Sequence, residues 1–390
     1  MKTLSDLGEL GGRRVLVRVD FNVPLDHGKV ADDTRIRAAL PTIEELRKRG
    51  AALVLVSHLG RPKDREPELS LQPVAERLSE LTEASVKLAP GAQGREVEQL
   101  AESLHGGDML LLENIRFEPG ETDNDPELAK RLAALGDAYV DDAFGAAHRA
   151  HASTDGVARL ISDHAAGRLL EREVKALTGL LSDPARPLVA VLGGAKVSDK
   201  IGVINSFLSA AETILIGGAM CFPFLAAQGH SVGDSLCSEK DVELAGRTID
   251  SASGARATLA LPSDLVVAER FHAGAEPQPL DGVDVPDGLM GLDIGPRTAD
   301  AYVSLITTAG TVFWNGPMGA FELEPFSAGT RAVARAVAAA PGVTVVGGGD
   351  SAAALTRYGL ADEVTHLSTG GGAALELIEG RELPGVEVLQ

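Results

Sequence analysis

Cysteine is scarce in this 390-residue chain, which has only Cys221 and Cys237. Two are too few for a disulfide framework, and their spacing is not that of a zinc site. They suit a reducing compartment, so a cytoplasmic protein with two packing cysteines is expected. Cations are outnumbered as well, 36 Lys and Arg against 56 Asp and Glu, giving a formal net charge of −20. Phosphate backbones demand clustered cations, so a nucleic-acid partner is excluded. No basic segment leading into an apolar core follows Met1, and no apolar run approaches membrane-spanning length. Neither a leader nor a membrane span is expected. The Walker A pattern is missing too, since no Gly-Lys-Ser/Thr follows a strand.

What is present centres on Leu188 to Leu208. Leu188–Leu192 is an apolar run long enough for one buried strand, and Gly193-Gly194 breaks it. Val197, Ile201, Ile204 and Leu208 then recur at helical spacing. Lys196 and Lys200, four apart, are predicted on one side of that helix near its start, where first-turn N–H groups already favour an anion. Strand, glycines and a helix with two lysines predict a phosphate site.

A chain of this length exceeds one ordinary core, so two domains are expected. In the first half, strands are predicted over Arg14–Val19, Ala51–Val56, Met109–Leu112 and Ala138–Val140. Between them lie a short helix capped by Asp32 or Asp33 and interrupted at Pro41, a second over Ser70–Leu81, and a third over Pro126–Leu135. Strands alternating with helices predict a parallel α/β layer, whose ligand crevice lies outside the carboxyl ends of its strands. Arriving there are Asp20, Asn22, His58, Arg61, Arg116, His148, Arg149 and His151, with Arg35 close behind. Seven cations at one edge of an acidic protein predict a pocket for a small polyanion, because arginine forks match phosphate and carboxylate oxygens in pairs.

In the second half the predicted strands finish in glycine. They are Thr213–Ile216 before Gly217-Gly218, Ala257–Leu261, Thr311–Trp314 before Asn315-Gly316, Val343–Val346 before Gly347-Gly348-Gly349-Asp350-Ser351, and Thr365–Leu367. Gly291–Gly295 is predicted as a tight polar turn. Repeated glycines let backbone N–H groups crowd around phosphates or a flat base, so a nucleotide is expected here. Gly347 to Ala352 also fits the loose G-x-G-x-x-A pattern, but no acidic residue closes a second strand ~20 residues later. Asp350 is placed either as a magnesium ligand beside nucleotide phosphates or as an ordinary helix cap. One sheet with cations and one with glycines, lysines and a carboxylate predict phosphoryl transfer across an interdomain cleft. The small anion and its nucleophile, hydroxyl or carboxylate, stay open at this point.

These segments together resemble the phosphoglycerate kinase family from end to end. The matching stretches are Arg18 to Pro24, Ser57 to Pro62, Leu112 to Phe117, Ala143 to His151, Leu192 to Ile201, Trp314 to Phe321, Gly347 to Ser351 and Ser368 to Ala373. The resemblance implies two doubly wound, Rossmann-like α/β domains facing each other across a cleft. Residues 1–170 would bind triose phosphate, residues 171–372 nucleotide, and 373–390 would return to the first domain after a connecting helix near Glu171 to Ser182. It implies a monomeric, hinge-bending glycolytic enzyme that moves phosphate between 1,3-bisphosphoglycerate and Mg-ADP, giving 3-phosphoglycerate and Mg-ATP. The implied triose site is Asp20, Asn22, Arg35, His58, Arg61, Arg116 and Arg149. The implied nucleotide site is Lys196, Lys200, Gly217, Gly218, Gly291, Asn315, Glu322, Gly348, Gly349, Asp350 and Ser351. Asp350 would hold magnesium, and Arg35 with Lys196 would neutralise the group in transfer. Asp141, Ala146, Ala219, Cys221 and Pro223 depart from the family's usual residues. A sensor without catalysis would not need Lys196 and Asp350, and no general base is required for a carboxylate nucleophile.

Overall fold

Strands buried on both faces must be covered by helices on both sides. β-Branched and leucine-rich runs set between amphipathic segments impose that arrangement here twice. The structure is a computed structural model describing residues 1–390. It divides into two compact units, Met1–Lys175 with Glu382–Gln390, and Ala176–Arg381.

The first unit runs through β1 (Arg14–Arg18), the hairpin strands β2 (Leu25–Asp26) and β3 (Lys29–Val30), β4 (Ala52–Val56), β5 (Val86–Leu88), β6 (Met109–Leu111), β7 (Ala138–Asp141) and β8 (His164–Ala166). Its helices are α1 (Thr34–Lys48), α2 (Gln72–Thr82), α3 (Arg95–Glu102), α4 (Pro126–Ala133) and α5 (Val157–Leu160). Six strands pair in parallel in the order β5-β6-β4-β1-β7-β8. The order reverses between β1 and β7, which makes their carboxyl ends the topological switch point. The four strands expected from the sequence are the central ones. β5, α3 and β8 were not anticipated, their apolar content being too short to show a period.

Pro41 does not interrupt α1, which continues to Lys48. Ile36, Ala39, Thr42, Ile43 and Leu46 bury one continuous face. Pro41 sits on the exposed side, so its ring displaces no residue of that buried face.

Helix α6 (Arg168–Ser182) runs across the boundary between the units. The second unit contains β9 (Leu188–Leu192), β10 (Thr213–Ile216), β11 (Thr258–Ala260), β12 (Leu265–Ala268), β13 (Gln278–Leu280), β14 (Met290–Ile294), β15 (Thr311–Asn315), β16 (Val343–Gly347) and β17 (His366–Leu367). Its helices are α7 (Ile201–Ala210), α8 (Cys221–Ala227), α9 (Glu239–Ala252), α10 (Pro296–Thr307), α11 (Ala328–Ala339), α12 (Gly349–Arg357) and α13 (Gly372–Ile378). A parallel sheet has the order β11-β10-β9-β15-β16-β17, and a separate antiparallel one has the order β13-β12-β14. Here the switch point falls between β9 and β15.

Three expectations fail in this unit. Helix α7 begins at Ile201, so Lys196 lies in the loop after β9 and Lys200 is the N-cap. Gly193 and Gly194 donate to Asn315 O and Pro317 O, which ties the chain down before it can coil. The buried face of α7 is Val203, Ile204, Phe207 and Leu208, so Val197 anchors the loop rather than the helix. Gly291–Gly295 is no turn. Met290–Ile294 pairs with Leu265–Ala268 through a register shift between Val266 and Val267, so pairing overrode the turn preference of Gly and Asp. Finally, Gly348 is the N-cap of α12 and Asp350 stands inside its first turn, so Asp350 is not the cap.

The unit boundaries lie at 175/176 and 381/382 rather than 170/171 and 372/373. Residues 373–381 stay with the second unit because α13 packs on α7. Only Glu382–Gln390, with α14 (Pro384–Glu387), belongs to the first. No helix is long and apolar enough to cross a membrane.

Candidate active site

At the carboxyl ends of β1, β4, β6 and β7 the first unit gathers its arginines. Arg35 Nη1 donates to Asp20 Oδ2 at 2.6 Å. Asn22 Oδ1 accepts the Gly60 N–H at 2.8 Å, which joins the β1 loop to the β4 loop. Arg116 donates to Gly60 O, and Arg149 Nε lies 3.1 Å from His148 Nε2. Burial lowers the proton affinity of Arg116, and neighbouring Arg18, Arg61 and Arg149 lower it further. Glu121 opposes the shift. Arg61 and Arg149 remain exposed.

The histidines do not share this charge. Burial drives His58 down to about 3, against the pull of Asp20. Burial takes His151 to about 4, and Arg18, Arg116 and Arg149 add to the effect. At neutral pH both rings are uncharged, so the 3.7 Å approach of His151 to Glu121 is not an ion pair. Of the seven side chains expected here as cations, His58 and His151 therefore add no positive charge. Asp20 is buried, which works to raise its pKa, but its charged neighbours, Arg35 and Arg18 among them, hold the carboxyl below its usual value. Arg18 carries no signal in the sequence, because it is the last residue of β1 and reads as part of the strand.

In the second unit an apolar cavity of about 620 Å³ opens beside the β9–β15 switch point. Gly218, Gly291, Glu322 and Asp350 line it, as do Ala219 and Cys221. Leu236 and Phe271, 68% and 55% exposed, belong to the same wall and had no sequence signal beyond being apolar. Lys196, Lys200, Gly217, Asn315, Gly348, Gly349 and Ser351 are not part of its lining.

The glycines are fitted to the protein before any ligand. Gly217 and Gly218 donate to Leu192 O and Met318 O, and Gly291 donates to Ser235 Oγ at 2.9 Å. Their N–H groups are therefore spent, and a base would meet them by contact alone. Gly218 takes φ of +65°, and a Cβ on Gly291 would lie 2.1 Å from the Phe222 ring. Other side chains are excluded at both positions.

Helix α12 has no side-chain cap, so its first-turn N–H groups face outward from Gly348, Gly349 and Asp350. Asn315 is buried next to it, and neither polar atom of its side chain has a hydrogen-bond partner in the protein. Ser351 Oγ accepts the Gly316 N–H at 2.6 Å and so also braces the β15 loop. Burial brings Lys200 down to about 8, while Asp199 and Asp350 oppose the shift.

No group of three or more His, Cys, Asp or Glu side chains could form a metal cage. One exposed carboxylate at a helix start, Asp350, fits a magnesium ion that arrives on nucleotide phosphates and keeps its waters.

Of the five departures, Pro223 falls in the first turn of α8, where its missing N–H has no helical acceptor to lose. Cys221 is buried against the cavity, and burial pushes its thiol well above the usual range. Ala146 is buried in the turn after β7. Asp141 ends β7 fully buried, and burial pushes it up to about 7.

This chain is similar to known proteins over its whole length. A family model described as phosphoglycerate kinase matches residues 4–381. A phosphoglycerate kinase of Herpetosiphon aurantiacus is 55% identical over 390 residues, covering 100% of this chain and 98% of the relative. A cytosolic phosphoglycerate kinase of Triticum aestivum is 50% identical over 394 residues, covering 100% and 98%. The solved structure of phosphoglycerate kinase from Coxiella burnetii superposes with a TM-score of 0.90 at 42% identity, covering 99% of this chain and 98% of that one. With an arginine cluster at one switch point and an apolar cavity beside an uncapped helix at the other, and with relatives matched from end to end, the chain belongs to the phosphoglycerate kinase family.

Proposed function

We propose that the first unit binds the triose phosphate and the second the nucleotide in the reaction this family member catalyses. That reaction is reversible phosphoryl transfer from 1,3-bisphosphoglycerate to ADP, giving 3-phosphoglycerate and ATP. The observation that carries the division is the chemical contrast between the two sheet ends. Crowded guanidiniums suit a small ligand with phosphate and carboxylate oxygens. An apolar cavity beside outward-facing helix N–H groups suits a base with a polyphosphate tail.

Arg61, Arg116 and Arg149 hold the triose oxygens, with Asn22 and His58 as neutral partners and Asp20 orienting Arg35. Gly218, Gly291 and Glu322 take the base and ribose side. Lys200, Gly348, Gly349 and Ser351 take the phosphates, with Asn315 beside them. A carboxylate nucleophile is already ionised at neutral pH, so no residue has to remove a proton. What this chain must supply is alignment and positive charge on the transferred oxygens, the work assigned to Arg35 and Lys196. Magnesium would be held by Asp350 together with the nucleotide phosphates, and when bound it supplies charge neutralisation between them. A monomeric, cytoplasmic enzyme is part of the same proposal, supported by two unpaired cysteines.

The direct test is ATP formation from an acyl phosphate and ADP, with and without magnesium. No ATP in the presence of both substrates and the metal would leave only a binding protein.

Two variants probe the site halves. Arg61→Ala and Arg149→Ala should each weaken 3-phosphoglycerate binding by roughly 10- to 100-fold, the value of one charge-assisted hydrogen bond. ADP binding measured by calorimetry should be unchanged; lost ADP binding with intact triose binding would reverse the assignment. Asp350→Asn should flatten the magnesium dependence of the rate without lowering stability, since Asp350 caps nothing. A magnesium titration identical to the parent's would remove Asp350 from the metal site.

A further inference from the structure

Beneath the arginine cluster runs a chain of buried hydrogen bonds ending on His58. Glu121 is 1% exposed. Its carboxylate accepts Ser153 Oγ–H at 2.6 Å and the Ser153 N–H at 3.0 Å. Tyr139 Oη donates to Ser153 O at 2.9 Å, so the serine is held from both sides. Ser153 Oγ in turn accepts Arg18 Nε–H at 2.8 Å. Arg18, 1% exposed at the end of β1, reaches His58 Nδ1 with Nη2 at 3.2 Å.

A guanidinium has five N–H donors and no acceptor. Nδ1 of His58 must therefore accept, and a neutral ring then carries its proton on Nε2. A carboxylate in the place of Arg18 would do the opposite. It would draw the proton to Nδ1, leave Nε2 as a lone pair, and favour the charged ring. An anion needs a donor, and only the first arrangement presents one without a charge.

We infer that Arg18, braced by Ser153 and Glu121, is a positioning residue that fixes the Nε2–H tautomer of His58. The anion site then receives from this histidine a directed neutral hydrogen bond instead of a positive charge. The inference rests on the placement of His58 in the triose site proposed above. The charged groups around the ring are Arg18 at the end of β1, Asp20 after it, Arg35 on α1 and Arg116 in the turn after β6. Three cations against one carboxylate, together with burial, keep the imidazole unprotonated, so its contribution to binding holds across the pH range in which a free histidine would gain charge.

Long-range proton–nitrogen correlation spectra of the ¹⁵N-labelled full chain read the tautomer directly. In the ligand-free wild type His58 should show a protonated Nε2 and an unprotonated Nδ1, unchanged from about pH 5 to 8. A protonated Nδ1, or a titration midpoint near the ordinary value of about 6.5, overturns the inference. Ser153→Ala removes the brace with little change in volume. It should give His58 a mixed tautomer and raise KM for 3-phosphoglycerate about tenfold, with kcat changing less than about twofold. A raised KM with the tautomer intact would make Ser153 a structural residue and break the relay. Should that variant fail to fold, the wild-type spectrum still decides the tautomer. Addition of 3-phosphoglycerate should shift the His58 Nε2 resonance. If it does not, the assignment of His58 to the triose site fails while the tautomer stands.

Discussion

Lys196→Ala should lower kcat and kcat/KM together by about 10³-fold, the scale of one cation that acts on a phosphoryl group in flight. The structure sharpens the expectation by separating the two lysines. Lys196 lies exposed in the loop after β9, with no hydrogen bond or ion pair, whereas Lys200 is half-buried at the N-cap of α7 and feels Asp350. A desolvated lysine next to the uncapped start of α12 suits the ground state, while an exposed one without partners has its interaction still to make. KM for ADP in Lys196→Ala should accordingly change by no more than roughly threefold. Lys196→Arg should rescue little, because a planar fork does not occupy the place of a compact ammonium. An alanine variant that keeps kcat and loses nucleotide affinity would exchange the roles of the two lysines.

Asp141→Asn should stabilise the protein at alkaline pH, with an effect on the order of 4 kcal/mol above pH 8. Asp141 Oδ1 accepts the Ala143 N–H, but Oδ2 is buried without a hydrogen-bond partner. Burial, the dominant cause, lifts the carboxyl to about 7, and Asp142 and Asp20 add to it against Arg18. A folded-state value above the unfolded one means that the unfolded chain ionises first as pH rises. Stability therefore falls between the ordinary carboxyl range and pH ~7 and is level beyond. An amide keeps the Ala143 contact and never ionises. Melting temperatures of parent and variant should coincide near pH ~4 and differ by roughly 5–10 °C at pH ~8. Burial lifts Asp142 to about 6 as well, so the difference between parent and variant reads Asp141 together with its coupling to Asp142. Parallel melting curves across that range would show that Asp141 ionises at no cost.

Most of the scaffold was legible in one dimension because buried parallel strands need continuous apolar runs. β1, β4, β6, β7, β9, β10, β15 and β16 announced themselves in this way, and the polar segments after the first four marked where the arginines gather. Short elements such as β5, α3 and β8 hold too few residues for a period to emerge. Gly291 and Pro41 misled for another reason: local preference yielded to pairing with β12 in one case and to a buried helical face in the other.

The sequence by itself determined two α/β units, the positions of Arg61, Arg116 and Arg149 beyond strand ends, and the glycine-rich start of α12. It could do so because strand and helix periods, and the residues that end them, are local properties. Only the tertiary structure decided which groups carry charge and which N–H groups are free. His58 and His151 lost their charge to burial, Gly217 and Gly218 spent their donors on neighbouring backbone carbonyls, and Arg18 came within hydrogen-bond reach of His58. Each of these depends on desolvation and on partners distant in the chain, such as Ser153, 135 residues from Arg18, and neither quantity is written in a local pattern.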